Sequence, residues 1–167
     1  MRKLLPFFLS LVFFSLLAGG CKKDEVDAEE QHRRDVQLIK DNLVRDEQLI
    51  KDYLVTNNIT AERHSSGIHY VIVNAGSGSS PVSSSRVTVK YVLRLLDGAV
   101  IPQTTEPVSF FLADVISGWR IGVPLIKQGG KIRLFIPSGY AYGPTPRTGI
   151  PANSVLDFDI ELLEVTN

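Results

Sequence analysis

Val87-Thr88-Val89-Lys90-Tyr91-Val92-Leu93-Arg94-Leu95 is the stretch whose reading decides the fold. Val87, Val89, Tyr91, Leu93 and Leu95 alternate with Thr88, Lys90, Val92 and Arg94, the two-residue period of a half-buried strand. Working outward, Ile132, Leu134 and Ile136 repeat the pattern, as do Leu156, Phe158, Ile160 and Leu162. Residues 68–73 read as a further strand and residues 108–112 as a shorter one, with one short helix expected around 118–126. Residues 76–85 hold six serines, two glycines and Pro81, a loop between strands. Several strands and one short helix predict an α+β domain with a largely antiparallel sheet.

The chain has 167 residues with 18 basic and 18 acidic side chains, a length that fits one domain plus an appendage. Zero net charge excludes the basic footprint of a nucleic-acid binder. A single cysteine excludes an internal disulfide framework and any multi-cysteine metal site.

Charge is unevenly distributed along the chain. Residues 64–167 carry 8 basic and 7 acidic side chains and eight of the nine prolines; residues 22–63 carry 8 basic and 11 acidic ones without a proline or glycine. Within the latter, Gln37 to Val44 reads Gln-Leu-Ile-Lys-Asp-Asn-Leu-Val, and Gln48 to Val55 repeats it with Tyr53 in place of Asn42. The offset of 11 residues is close to three helical turns, so both copies present the same side. Val36, Ile39, Leu43, Ile50 and Leu54 form an apolar stripe on an amphipathic helix over residues 36–55 that ends near Thr56-Asn57-Asn58. Such a helix either packs on its own domain or serves as a dimerising arm; the expectation leans toward a spacer that self-associates into a homodimer.

Residues 1–20 pair Arg2 and Lys3 with an apolar run from Leu4 to Ala18 and end in Gly19-Gly20, the layout of an export signal. Cys21 follows at once, and this junction resembles the lipobox of bacterial lipoproteins, in which the thiol is acylated and becomes the mature N-terminus. Ala18 stands where a larger aliphatic residue is usual, with Leu17 one place further away. The resemblance implies anchoring to a bacterial membrane through Cys21, on the periplasmic or surface side of the outer membrane. Lys22-Lys23-Asp24-Glu25 resembles a surface-export signal, and a solvated linker explains it equally well.

Other signals exclude more than they suggest. Gly76-Ser77-Gly78 has no following Gly-Lys-Ser/Thr and leads into a strand, so it is not a phosphate loop. His32, His64 and His69 lack helical i, i+4 spacing and cysteine partners, so no metal site is expected. No Gly-x-Ser-x-Gly elbow occurs. Asp157, Asp159 and Glu161 line one face of the last strand and are expected to be a solvated face.

One set of motifs remains: Val87-Thr-Val-Lys-Tyr91, Leu96-Asp97-Gly98, Val115-Ile116-Ser-Gly-Trp119, Gly129-Gly130-Lys131, Ile136-Pro137, Tyr140-Ala-Tyr142-Gly143, Gly149-Ile150-Pro151-Ala-Asn153-Ser, and Phe158-Asp-Ile-Glu-Leu-Leu163. In this order and at these spacings, residues 64–167 closely resemble an FKBP-type peptidyl-prolyl cis-trans isomerase domain. The resemblance implies an antiparallel sheet curled around one short helix, with a shallow apolar pocket between them. The chain is thus expected to divide into residues 1–20 as signal, 21–63 as linker and helix, and 64–167 as the domain that carries the resemblance. Proline-containing polypeptides would be the substrates, and no cofactor is implied. By the same resemblance Trp119 forms the pocket floor and Tyr91, Val115, Ile116, Ile150 and Phe158 its walls. The Tyr142 hydroxyl and the Ile116 backbone N–H would hold substrate carbonyls.

The departures from the family pattern are specific. Ile101-Pro102 stands where a Phe-Asp pair is usual, Val108 replaces an aromatic that would bind substrate, and Ile121 an acidic residue. Ile101 keeps the wall apolar, whereas Pro102 removes a hydrogen-bonding charge from the rim. The expectation is therefore an isomerase of weakened or selective activity, with a non-catalytic proline-peptide-binding chaperone or adaptor as the alternative.

Overall fold

The computed structural model of the protein describes residues 21–167, with side chains from residue 27 onward. The expected export signal at residues 1–20 lies outside the described residues. The first element is a single helix, α1 (Cys21–Thr56), longer than the 36–55 predicted from its apolar stripe. With no glycine or proline to interrupt it, the polar first half continues the helix. Side chains one turn apart support it: Arg34 pairs with Glu30 at 3.0 Å, and the Gln31 amide donates to Asp35 at 2.9 Å.

Contacts divide the chain into two units, one through Gln37 and one from Leu38 to Asn167. In the first unit every described residue is exposed.

The second unit is built on one antiparallel sheet. Its strands are β1 (Glu62–Arg63), β2 (His69–Asn74), β3 (Arg86–Leu95), β4 (Val100–Ile101), β5 (Val108–Phe111), β6 (Lys131–Ile136) and β7 (Leu156–Thr166). The spatial order is β1-β2-β6-β7-β3-β4, and β5 also pairs with β3. β3 and β7 pair along their whole length, from Arg86 opposite Thr166 to Leu95 opposite Leu156. This long pair explains why residues 87–95 are decisive: their strand pairs with β7, β4 and β5. The expected α+β architecture is the observed one.

Side-chain alternation sorts each strand into two faces. The inner face sends Val87, Val89, Leu93, Ile132, Leu134, Ile136, Phe158 and Ile160 into the main core. Helix α2 (Ser117–Gly122) lies over this face, followed by a 3-10 turn at Val123–Leu125. The helix expected at 118–126 is thus shorter, because Pro124 lacks an N–H and cannot extend it. Gly118 and Gly122 let α2 approach β6 closely. A Cβ at Gly118 would collide with Ile136, and one at Gly122 would stand 2.5 Å from Leu134.

The outer face is not uniformly solvated, which corrects the expectation for Asp157, Asp159 and Glu161. Asp157 is fully buried. Arg133 on β6 grips it with two hydrogen bonds, Nε to Oδ1 at 2.9 Å and Nη2 to Oδ2 at 2.7 Å. Arg94 turns to Asp159 at 2.5 Å, while Glu161 pairs with Lys131 at 3.4 Å in the exposed part of the row. The reason is the second half of α1. Ile50 and Leu54, both buried, form a second small core with Phe135 and Val155, and Tyr53 packs against its edge. Tyr53 also accepts from Arg133 at 3.3 Å, so the helix covers the end of the face that carries Asp157. For this half of the stripe, packing on its own domain is what the structure shows. In the first copy of the repeat, Leu38, Ile39 and Val44 are exposed by 60%, 64% and 64%.

Candidate active site

A hollow of about 700 Å³ opens between the inner face of β3, the helix α2 and the loop after residue 140. Trp119 is its floor. The indole is 4% exposed because α2 is pressed flat on β6 by Gly118 and Gly122, which aims the intervening residue back into the sheet. Three rings meet it edge to face: Tyr91 at 5.1 Å, Phe158 at 5.3 Å and Phe110 at 5.9 Å between centroids. Edge-to-face contacts suit the ring quadrupoles and fix the indole plane. Among the described residues, the buried Trp119 Nε1–H has no hydrogen-bond acceptor.

The hollow brings together eight of the nine residues expected there: Tyr91, Ile101, Val115, Ile116, Trp119, Tyr142, Ile150 and Phe158. Val108 is the exception. It packs against the main core opposite Val89, and Phe110, two residues on and one turn of the pleat nearer the indole, lines the hollow instead. Strand alternation puts both on the same face, so only the longer side chain and its register could have singled out Phe110.

Each wall has a local cause. Ile116 precedes α2 in extended conformation, and N–H groups at a helix start lack intrahelical partners. Ile150 turns inward because Gly149, at φ +76°, closes a tight turn in which Arg147 and Ile150 exchange backbone hydrogen bonds at 2.9 Å. Ile101, only 8% exposed, supplies an aliphatic wall.

The two tyrosines differ. Tyr91 donates its hydroxyl to Gln103 Oε1 at 2.8 Å. Burial, and secondarily the neighbouring Tyr142, push the Tyr91 phenol above its ordinary value, so it stays protonated. Tyr142 Oη bonds no group among the described residues, and the Arg147 guanidinium lies 5.4 Å from its ring centroid. Sequence reasoning missed Gln103, Phe110 and the rim charges Asp114 and Arg147. For Gln103 the signal was its place directly after Pro102.

A second cavity of about 620 Å³ lies across the 101–103 segment and shares Tyr91, Ile101, Pro102 and Gln103 with the first. Its other walls include Lys90, Lys131, Asp159 and Glu161 of the outer charged rows, and it has no aromatic floor. The first hollow differs in being floored by aromatic rings, with the Tyr142 hydroxyl unengaged at its rim.

An antiparallel sheet closing on one short helix over an aromatic-floored hollow is the architecture the chain presents. Residues 78–163 match the family model for FKBP-type peptidyl-prolyl cis-trans isomerase. The chain belongs to this family. It is similar to the FKBP-type peptidyl-prolyl cis-trans isomerase FkpA of Buchnera aphidicola, 38% identical over 157 residues, 90% of this chain and 64% of the relative. The FkpA of Escherichia coli K12 is 47% identical over 104 residues, 60% of this chain and 38% of that one. The crystal structure of Escherichia coli FkpA is similar over 90% of this chain and 74% of that chain, with a TM-score of 0.66 and 35% identity. The chain thus spans less than two thirds of the length of the curated relatives it matches. Among the described residues no helix is long and apolar enough to cross a membrane.

Proposed function

We propose that the protein is an exported peptidyl-prolyl cis-trans isomerase acting on proline-containing polypeptides. The observation that carries this reading is the Trp119-floored hollow with the unengaged Tyr142 hydroxyl at its rim. Rotation about an X-Pro bond faces a barrier of about 20 kcal/mol because it breaks amide resonance. At the twisted state carbonyl and nitrogen no longer share electrons, so the group is less dipolar than the planar amide. A water-poor aromatic hollow disfavours the planar form relative to the twisted one, and no proton transfer or nucleophile is required. In this reading Trp119 is the floor, Tyr91, Ile101, Val115, Ile150 and Phe158 are walls, and the Tyr142 hydroxyl and Ile116 N–H hold the peptide carbonyls in a productive pose. Pro102 at the rim supports an activity below that of members with an acidic residue there.

The test is proline-limited refolding of a reporter protein, together with isomerisation of a Leu-Pro or Phe-Pro peptide. Trp119→Ala is expected to remove the acceleration. A variant that keeps full acceleration overturns the isomerase role. Suppressed aggregation without acceleration in the unsubstituted protein points instead to a binding chaperone or adaptor.

The proposal extends to the whole chain. Residues 1–20 act as a signal, Cys21 carries a lipid anchor to the outer membrane, 21–63 form an arm and 64–167 the isomerase domain. A lipid contributes about 0.8 kcal/mol per buried methylene, so it tethers the protein without spanning the bilayer. The mass of the mature N-terminus tests this: the unmodified thiol mass on a membrane-extracted sample excludes the anchor. Self-association through the helix is supported by the exposed Leu38, Ile39 and Val44. Sedimentation with Ile39→Asp tests that arm, a dimer-to-monomer shift being the expected result.

A further inference from the structure

We propose that Asp46, on α1 and outside the hollow, is a positioning residue that sets Tyr142 and Ile150 for catalysis; this rests on the isomerase reading. Asp46 is fully buried. Its Oδ2 accepts two hydrogen bonds from Ser138, from the backbone N–H at 2.8 Å and from the hydroxyl at 2.5 Å. Its Oδ1 accepts from Arg45 Nη2 at 2.6 Å, and the same Arg45 nitrogen donates to the Asn153 carbonyl at 3.0 Å.

These partners sit at the two ends of one segment. Ser138 opens it, and its carbonyl accepts from Ala141 N–H at 3.0 Å and Gly143 N–H at 2.9 Å, bracketing Tyr142. Asn153 closes it, donating its N–H to the Gly143 carbonyl at 2.7 Å. Residues 138–153 carry both Tyr142 and Ile150; Tyr140, Ala141 and Tyr142 pack half-buried against the main core, whereas residues 144–149 between them and Ile150 are exposed. The carboxylate of Asp46 with its neighbour Arg45 is therefore the clamp that joins both ends of this segment to a rigid helix. A charged acceptor buried against a backbone N–H and a hydroxyl makes hydrogen bonds about twice as strong as neutral ones. Removing it leaves two donors of Ser138 buried without a partner, and the segment relaxes to satisfy them. Small displacements of a group that contacts the reacting bond are costly to rate.

The experiment measures kcat and KM of the full chain on a Phe-Pro peptide for Asp46→Ala, Asp46→Asn and Ser138→Ala, each with and without Tyr142→Phe. Asp46→Ala is expected to lower kcat/KM about tenfold, mostly through kcat. Asp46→Asn retains an acceptor for Ser138 but sets an amide against Arg45, so it is expected to lose less. In the Tyr142→Phe background the loss should shrink to about twofold or less, because the hydroxyl being positioned is gone. An unchanged kcat/KM in Asp46→Ala overturns the proposal, as does an equal loss with and without Tyr142. If Asp46→Ala does not fold, the same criteria apply to Asp46→Asn and Ser138→Ala.

Hydrogen exchange of the same proteins separates this idea from the isomerase reading. Asp46→Ala should speed exchange at the Gly143 and Asn153 amides while the Ile160 amide in β7 keeps its protection. If the unsubstituted protein shows no isomerisation, the isomerase reading falls. The clamp then stands or falls on that exchange pattern and on the weakening of proline-peptide binding read by Trp119 fluorescence.

Discussion

Tyr91 and Tyr142 face one hollow, yet only one of their hydroxyls is spent within the protein. Gln103 accepts from Tyr91 at 2.8 Å, so a neutral amide holds this ring although Pro102 has removed the expected acid from the rim. Gln103→Leu leaves that phenol without its acceptor and is expected to lower kcat/KM about fivefold on a Phe-Pro peptide, with Tyr142→Phe costing at least as much. Gln103→Glu should keep the ring in place and add a negative charge at the rim. Peptides with lysine beside the proline should then gain over those with glutamate, and the preference should fade in about 0.5 M salt. Because Tyr91 is held above its ordinary value by burial, its ionisation should leave kcat/KM flat from about pH 6 to 9. Much of this scale was legible: Trp119, Tyr142 and the walls Tyr91, Val115, Ile116, Ile150 and Phe158 stand in short contiguous motifs whose local geometry travels with the sequence. Gln103 and Phe110 were not, because what selects them is a cross-strand register and a loop conformation.

At the scale of elements, the contact of α2 with β6 sets the depth of the hollow. Gly118 and Gly122 are four residues apart and so share one helix face, which meets Ile136 and Leu134. Gly118→Ala forces a methyl into Ile136 and is expected to cost about 1–3 kcal/mol in urea unfolding. The only tryptophan reports the same shift, since Trp119 must move with the helix and its emission should move to the red. A second contact, between α1 and the β1–β2 hairpin, carries the acid response. Arg63 donates to Glu47 from Nε at 2.8 Å and from Nη2 at 2.9 Å, and Lys51 approaches it at 2.9 Å. Those hydrogen bonds, first Arg63 and then Lys51, hold the Glu47 carboxyl down at about 2. A carboxyl lowered on folding stabilises above its unfolded value of about 4.3, and that stability is lost as pH falls toward 2. His69 acts earlier, since burial lowers its imidazole below the ordinary value of about 6.5 and unfolding lets it take up a proton. The melting temperature should therefore begin to fall below about pH 6.5 and fall further below about pH 4.5. Glu47→Gln is expected to flatten the lower step and leave the upper one; an unchanged lower step would assign it to other carboxylates.

Across the whole molecule, two cores share one sheet, and the balance between them explains what the sequence concealed. The inner core was legible as alternation, because Val87, Val89, Leu134, Ile136 and Phe158 repeat every second residue. The outer one was not, because it joins residues some 80 positions apart. Phe135 and Val155 look like isolated apolar residues on a charged face until Ile50 and Leu54 cover them. Asp157 reads as solvated for the same reason, although Arg133 and the neighbouring Tyr53 enclose it. The 11-residue repeat makes this a controlled comparison, since Ile39 and Ile50 occupy the same place in two copies. Ile39 is 64% exposed and Ile50 is 0% exposed. Ile50→Ala should cost about 2–5 kcal/mol of unfolding free energy, whereas Ile39→Ala should cost less than about 0.5 kcal/mol in a dilute, monomeric sample. Removal of residues 22–37 should likewise leave the melting temperature of a soluble form unchanged, because the described residues there are exposed. Removal of residues 22–56 strips the cover from Phe135 and the partner from Ser138, and should lower both the melting temperature and kcat/KM. If the longer truncation melts at the same temperature as the shorter one, the second core does not stabilise the sheet, and the helix is a spacer along its whole length.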